Sequence, residues 1–311
     1  MSGVATLVRD LSELARMGRL DRVVGRDKEL DDILRVLCRR TKSNPLLLGE
    51  PGVGKTALVE GLAQRLLEQR TPAILRDRRV VELEIGGLLA GTQFRGDLEK
   101  RVQDFIHEAK RDRAIVFIDE IHLLVVAGKG SGIDAANLLK PILARGDVPC
   151  IGATTTSEAE EMFRADPAME RRFQPIHIAE PAPETVRMIL HAVRTSLEKH
   201  HGVLIEDEAI EAALTASLVG EGRRNPDRAI DLLEDVCARA QMHYATEAEP
   251  RPASPQLDAA ERELAAATAS LDVLRHAKAR ETLEELAAAR SRETTALAPH
   301  KRRITVAHFT R

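Results

Sequence analysis

The sequence predicts an α/β fold: a five-stranded parallel sheet with helices on both faces, then a small all-helical lid domain and a helical arm. Three observations carry this expectation. Short apolar runs alternate with longer segments of helical period, the signature of a sheet covered on both sides. A glycine-rich loop closes the first run and opens a helix. From Glu184 to about Tyr244 only helical periodicity remains.

Residues 1–22 read as an amphipathic linker helix, with Leu7, Leu11, Leu14 and Ala15 on one side. A first domain is expected over 23–181. Its apolar runs are Leu46–Leu48, Val80–Ile85, Ile115–Ile118, Cys150–Ala153 and Ile176–Ile178. Between them lie helical stripes. Leu58, Leu62 and Leu66 recur every four residues within 55–69, and Leu98, Val102, Phe105, Ile106 and Ala109 line one face of 97–110. Pro181 and Pro183 punctuate the chain, and 182–246 forms the small helical domain. Residues 247–255 hold three prolines and read as a linker. In 256–311, Leu257, Leu264 and Leu271 are seven apart, and Leu274, Leu283 and Leu286 continue the face. A hairpin, a short coiled coil and a packed surface helix all satisfy that spacing.

The chain of 311 residues carries 46 basic and 49 acidic side chains, a net charge of −3, with no long basic tract. That balance argues against a dedicated nucleic-acid or membrane surface. The first twenty residues hold no apolar run long enough for a signal peptide or a spanning helix. Cys38, Cys150 and Cys237 are scattered, without a CxxC or a neighbouring histidine cluster, and read as reduced core residues of a cytoplasmic protein. Aromatics make up only 2% of the chain, so Phe94, in a glycine-flanked polar loop, stands out.

Gly49-Glu50-Pro51-Gly52-Val53-Gly54-Lys55-Thr56 fits the phosphate-loop pattern GxxxxGK[ST] between a strand and a helix. Its glycines let backbone N–H groups turn toward phosphates, and the helix N-terminus adds positive potential. Lys55 neutralises phosphate charge, and the Thr56 oxygen suits Mg²⁺. The run Ile115–Ile118 then ends in Asp119 and Glu120. Asp119 suits the metal, and Glu120 suits the orientation and deprotonation of a water. The plainer reading is two acids capping the next helix. A hydroxyl at the end of the neighbouring strand, Thr155, is placed to sense a γ-phosphate, unless Thr156 or Ser157 merely caps a helix before Glu158. Arg171 and Arg172 suit arginine fingers on a neighbouring subunit, or a surface pair bridged to nearby acids.

These motifs stand in a familiar order. The chain resembles the first AAA+ module of the Clp-type unfoldases and disaggregases. The matching text is VVGRDKELDDILRVLCRRTKSNPLLLGEPGVGKTALVEGLAQR, GTQFRGDLEKR, VFIDEIHLL, DAANLLKPILARG, IGATTTSE, MERRFQPI and NPDRAIDLLEDVCARA, across about residues 10–245. The resemblance implies an ATPase that uses ATP and Mg²⁺ and works on polypeptide as a hexameric ring. It assigns Thr155 as γ-phosphate sensor and Arg171 and Arg172 as trans-acting. Val24 and Gly25 fall in the segment lining the adenine pocket, and Asn225, Pro226, Asp227 and Arg228 at the start of a lid helix near the nucleotide. Phe94 and Arg95 fall in the substrate-gripping pore loop, with Phe in place of the more usual Tyr. Residues 126–134 match a second pore loop. On the residues alone, Phe94 packing on its own domain is the simpler reading.

The chain lacks a second GxxxxGK[ST], and the N-terminal recruiting domain of typical relatives is not visible in it. Three functions are therefore expected to compete: an ATP-driven unfoldase or disaggregase ring, a nucleotide-gated interaction module or fragment of a two-module protein, and a DNA-handling ATPase, which the near-neutral charge disfavours. Any adaptor or protease partner is left open.

Overall fold

The computed structural model describes residues 8–68, 71–84, 95–126, 148–219 and 222–246, then 259–260, 262–264, 278, 280–282, 284–286, 303–305 and 309. The chain divides into two compact units, Met1–Val193 with Val219–Ala229, and Arg194–Leu218 with Ile230–Arg311.

The first unit is built on a six-stranded sheet. Its strands are β1 (Val8–Asp10), β2 (Asn44–Leu48), β3 (Arg79–Leu83), β4 (Ala114–Ile118), β5 (Cys150–Thr154) and β6 (Phe173–His177), in spatial order β1-β3-β4-β5-β2-β6. Strands β2 to β6 are all parallel, as the five apolar runs predict. The sixth strand is a correction. The helix expected over 1–22 is confined to α1 (Leu11–Arg16), and Val8–Asp10 instead pairs antiparallel with β3. Arg9 holds that edge in place through Glu60 (2.8 Å) and Glu82 (3.2 Å). Asp10 caps α1 by accepting from the Glu13 N–H, and its carboxylate pairs with Arg79.

Alternate residues of each strand face opposite layers, because the side-chain period of a strand is two. Leu46, Leu48, Val81, Leu83, Val116 and Ile118 enter one core with α4 (Arg95–Arg111) and α6 (Thr156–Ala165). Leu47, Val80, Ile115, Phe117, Ile151 and Ile176 enter the other, with α1, α2 (Asp27–Leu37) and α3 (Lys55–Arg65). Burial on both faces explains why these runs are apolar throughout rather than alternating. It also places the C-terminal ends of β2, β4 and β5 side by side, where ligands bind in open α/β sheets. Two short helices, α5 (Leu123–Val126) and α7 (Pro167–Glu170), lie in the connections after β4 and before β6.

The second unit takes up the later part of α8 (Pro183–His201), α9 (Asp207–Leu218) and most of α10 (Asp227–Thr246). Leu197, Ile210, Leu214, Leu233 and Val236 are buried in it. Arg194 ties α8 to α9 through Asp207 (2.7 Å). The all-helical expectation needs one amendment: β7 (Leu204–Ile205) pairs in parallel with β8 (Arg303–Ile304). The helical arm and the linker over 247–255 lie for the most part outside the described residues, and those described within 259–286 are helical. Among the described residues, no helix is long and apolar enough to cross a membrane.

Candidate functional site

The loop Gly49–Gly54 leaves the end of β2 and enters α3. Gly54, at φ 92°, occupies the N-cap position of α3, a left-handed turn that favours glycine. Gly49 has a different constraint: a Cβ there would lie 2.6 Å from the Ile178 carbonyl oxygen, so only a bare backbone fits. Val53 is buried in the core behind the loop.

Lys55 opens α3 and folds its ammonium back over the loop, donating to the carbonyls of Gly49 (2.8 Å) and Glu50 (3.1 Å). An ammonium has three N–H donors, so two carbonyls do not exhaust it. Burial lowers its pKa, and Asp119, Glu158, Glu50 and Glu120 act against that lowering. The Thr56 hydroxyl donates to Asp119 Oδ2 at 2.7 Å. Residues 63 positions apart are thus brought into contact by the strand order, with α3 starting beside the end of β4.

Glu120 follows with φ 47°, a left-handed backbone rare for a side chain larger than glycine. Its N–H donates to Asp119 Oδ1 (2.9 Å), and the next N–H, of Ile121, donates to the Ala153 carbonyl (3.0 Å). The turn is thereby pinned to β5, and the Glu120 side chain is exposed at the strand end. The capping reading of the two acids finds no support in this geometry, since Asp119 faces α3 rather than a following helix.

Thr155 is the N-cap of α6, a place the sequence reading gave to Thr156 or Ser157. Its hydroxyl accepts from the Glu158 N–H (3.3 Å) while Glu158 Oε2 accepts from the Thr155 N–H (3.0 Å), a reciprocal capping box, and the same hydroxyl donates to Oε2 (2.8 Å). Thr154, only 2% exposed, donates to the same carboxylate oxygen at 2.9 Å. His122 Nδ1 approaches the Thr154 hydroxyl at 3.0 Å and Glu158 at 3.4 Å. Burial pushes the Glu158 carboxyl up, but these hydrogen bonds and His122 hold it below the usual range. Thr154, Glu158 and His122 did not stand out in the sequence, although the Thr-x-x-Glu spacing of the box is legible there.

Arg26 was also missed. It is 7% exposed, and its guanidinium donates to the carbonyls of Val53 (3.0 Å) and Ala179 (3.1 Å) and pairs with Glu29 (2.7 Å). A buried guanidinium is stable only when paired and hydrogen-bonded in this way. Here it ties the phosphate loop to the end of β6. Its neighbours Val24 and Gly25 lie just before α2, with Gly25 close against Thr185 of α8. On the other side, Pro226 and Asp227 sit against the loop, and the Asp227 N–H donates to the Gly52 carbonyl at 3.2 Å.

Arg171 and Arg172 stand just before β6, both exposed, and among the described residues neither side chain has a hydrogen-bond or ion-pair partner. The bridged surface pair is therefore not what forms. Phe94 lies outside the described residues, as does nearly all of 126–134; Arg95 is described only as the first residue of α4.

Residues 45–180 match the model for the ATPase family associated with various cellular activities (AAA), and 182–290 match an AAA lid domain. Chaperone protein ClpB of Rickettsia typhi is 47% identical over 245 residues, covering 78% of this chain and 29% of the relative. The ATP-dependent Clp protease ATP-binding subunit ClpC of Staphylococcus epidermidis is 49% identical over 246 residues, covering 77% of this chain and 30% of the relative. The chain thus spans under a third of these curated relatives. Among solved structures, the closed state of Hsp104 with ATPγS and FITC casein superposes with a TM-score of 0.72 at 41% identity, covering 79% of this chain and 42% of that one. The Saccharomyces cerevisiae Hsp104–ADP complex gives 0.72 at 42% identity, with 78% and 42% covered. Two adjoining family models, identities near one half and a shared backbone agree with the strand order and the loop: the chain belongs to the Clp-type AAA+ ATPases.

Proposed function

We propose that the chain hydrolyses ATP at the Gly49–Thr56 loop and couples hydrolysis to the movement of polypeptide, as one subunit of a homo-hexameric ring. The observation that carries this reading is the 2.7 Å contact of Thr56 with Asp119, beside the Lys55 ammonium and one residue before Glu120. Four groups with separate tasks in phosphoryl transfer converge there.

In this reading the backbone N–H groups of the loop and Lys55 bind the β- and γ-phosphates. The Thr56 hydroxyl and Asp119 carboxylate offer hard oxygens of the kind Mg²⁺ takes alongside phosphate and water, and the ion bound there would supply positive charge to the phosphate oxygens. Glu120 orients a water against the γ-phosphorus and takes its proton, while the bond to the β–γ bridging oxygen breaks. Thr155 donates to the γ-phosphate only after its hydroxyl leaves Glu158, because one hydroxyl has one proton to give. Arg171 and Arg172, unpaired within the described chain, meet the γ-phosphate of the next subunit.

Coupling to polypeptide rests on the family. The Hsp104 structure with ATPγS named above carries FITC casein, and action on polypeptide is proposed for this chain: a ring whose pore loop grips unfolded backbone through Phe94 and Arg95. An aromatic ring suits a grip that does not depend on sequence. Residues 23–181 would act as the nucleotide-binding domain and 182–246 as its lid. The free thiols of Cys38, Cys150 and Cys237 suit the reducing cytoplasm. The test separates hydrolysis from gripping. Phe94→Ala should keep ATP turnover within about twofold and lose the unfolding of a fluorescent reporter substrate. Full reporter unfolding by that variant contradicts the pore-loop role.

A further inference from the structure

The segment leading into α10 rests on the phosphate loop. The Arg224 N–H points to the Pro51 carbonyl (3.5 Å), and a Cβ on Gly52 would lie 2.9 Å from the Arg224 carbonyl oxygen. Between Arg224 and Pro226 sits Asn225, 4% exposed. Its N–H donates to Glu180 Oε1 at 2.9 Å. Its side-chain oxygen Oδ1 is buried and meets no hydrogen-bond donor.

A buried amide oxygen without a donor is costly, and one that persists beside a binding loop calls for a partner that arrives with the ligand. The ligand's phosphates do not qualify. Ionised phosphate oxygens are acceptors, as Oδ1 is, so they leave the need unmet. The remaining donors of a nucleoside triphosphate are on the nucleoside: the exocyclic amino group of adenine and the hydroxyls of ribose.

We propose that Asn225 is a specificity-determining residue whose side-chain oxygen accepts a hydrogen bond from a donor on the nucleoside of the bound nucleotide. This rests on the nucleotide reading given above. It goes beyond that reading by making recognition of the nucleoside, as distinct from the phosphates, depend on one buried acceptor. A site built to hydrogen-bond a group rejects the analogue that lacks it.

Four ligands test the assignment on the full chain by calorimetric titration with Mg²⁺: ATP, inosine triphosphate without the amino group, 2′,3′-dideoxy-ATP without the ribose hydroxyls, and inorganic tripolyphosphate. Asn225→Leu should weaken ATP by a factor of about 5 to 30, the range for one lost buried hydrogen bond, and leave tripolyphosphate unchanged. The analogue that lacks the relevant donor should bind wild type and variant alike, which tells the amino group from the hydroxyl. Asn225→Ser, which keeps an acceptor, should recover part of the loss. Unchanged ATP affinity in Asn225→Leu overturns the proposal. So does an equal loss across ATP and both analogues, and so does a parallel loss of tripolyphosphate, which marks a structural defect. Wild-type chain that bound neither ATP nor tripolyphosphate would remove the nucleotide reading, and this assignment with it.

Discussion

Lys55 sits where burial and four carboxylates pull its ammonium in opposite directions. Burial wins, so its pKa lies below the ordinary 10.5. A triphosphate adds negative charge beside it and raises that pKa, so binding at high pH must bring a proton with it. Tripolyphosphate affinity is therefore predicted to fall as pH climbs through the free-protein pKa of Lys55. The stability of the free chain moves the other way. Its unfolded state holds the Lys55 proton more tightly, so this group favours folding more as pH rises through the same window. Titrations at alkaline pH up to the ordinary lysine value of 10.5 check the first sign and denaturant unfolding checks the second. PH-independent affinity contradicts contact between Lys55 and phosphate. At this scale, the loop, Asp119 and Glu120 were legible because their residue types and spacing are themselves the chemistry. Arg26, Thr154 and Glu158 were not, because nothing local marks a guanidinium that will find the carbonyl of a residue 153 positions away. Asn225 shows the same limit. The resemblance places it at the start of a lid helix near the nucleotide, but only the fold reveals that its side-chain oxygen is left without a donor.

The elements follow from periodicity where burial is two-sided. The five parallel strands read directly from their apolar runs, and the stripes within 55–69 and 97–110 correspond to α3 and α4. The two strand pairs that were not foreseen share one cause. Val8–Asp10 and Arg303–Ile304 are too short to show a period of two, and each is a strand only because a distant partner offers a ladder. For β1 the partner is β3, reached across more than sixty residues, with Arg9 and Asp10 supplying charge pairs to Glu82 and Arg79. The close approach of the β2–α3 loop to the end of β6 gives a prediction at this scale. Gly49→Ala puts a methyl against the Ile178 carbonyl, where only 2.6 Å is available, and backbone must shift. The expected cost is about 1–3 kcal/mol of stability. Loss of nucleotide affinity should accompany it, since the displaced backbone carries the N–H groups proposed to face phosphate. Chemical unfolding and nucleotide titration of this one variant measure both, and wild-type values in both would contradict the packing described for the loop.

For the whole molecule, the unpaired state of Arg171 and Arg172 matters most. Two exposed guanidinium groups stand before β6, whose start pairs with the start of β2, at the opposite end of the strands from the Gly49–Gly54 loop; without a partner among the described residues, they suit the proposed site completed by a second copy. Specific ATPase activity is thus predicted to fall on dilution. Arg171→Ala with Arg172→Ala should lower turnover by about 10³ or more, the scale of a lost arginine finger, while ATP binding holds. Turnover per chain that stays constant across dilution contradicts shared sites.

In the proposed reaction a triphosphate on the loop ending at Lys55 and Thr56 is cleaved by a water that Glu120 prepares. Glu120→Gln keeps the size and the local fold of the side chain and removes its capacity to take a proton. The direct measurement is paired: ATP affinity and steady-state phosphate release for wild type and Glu120→Gln at the same chain concentration. ATP affinity of the variant is expected within about threefold of wild type and its hydrolysis lowered by at least about 10². Wild-type phosphate release from Glu120→Gln would contradict it.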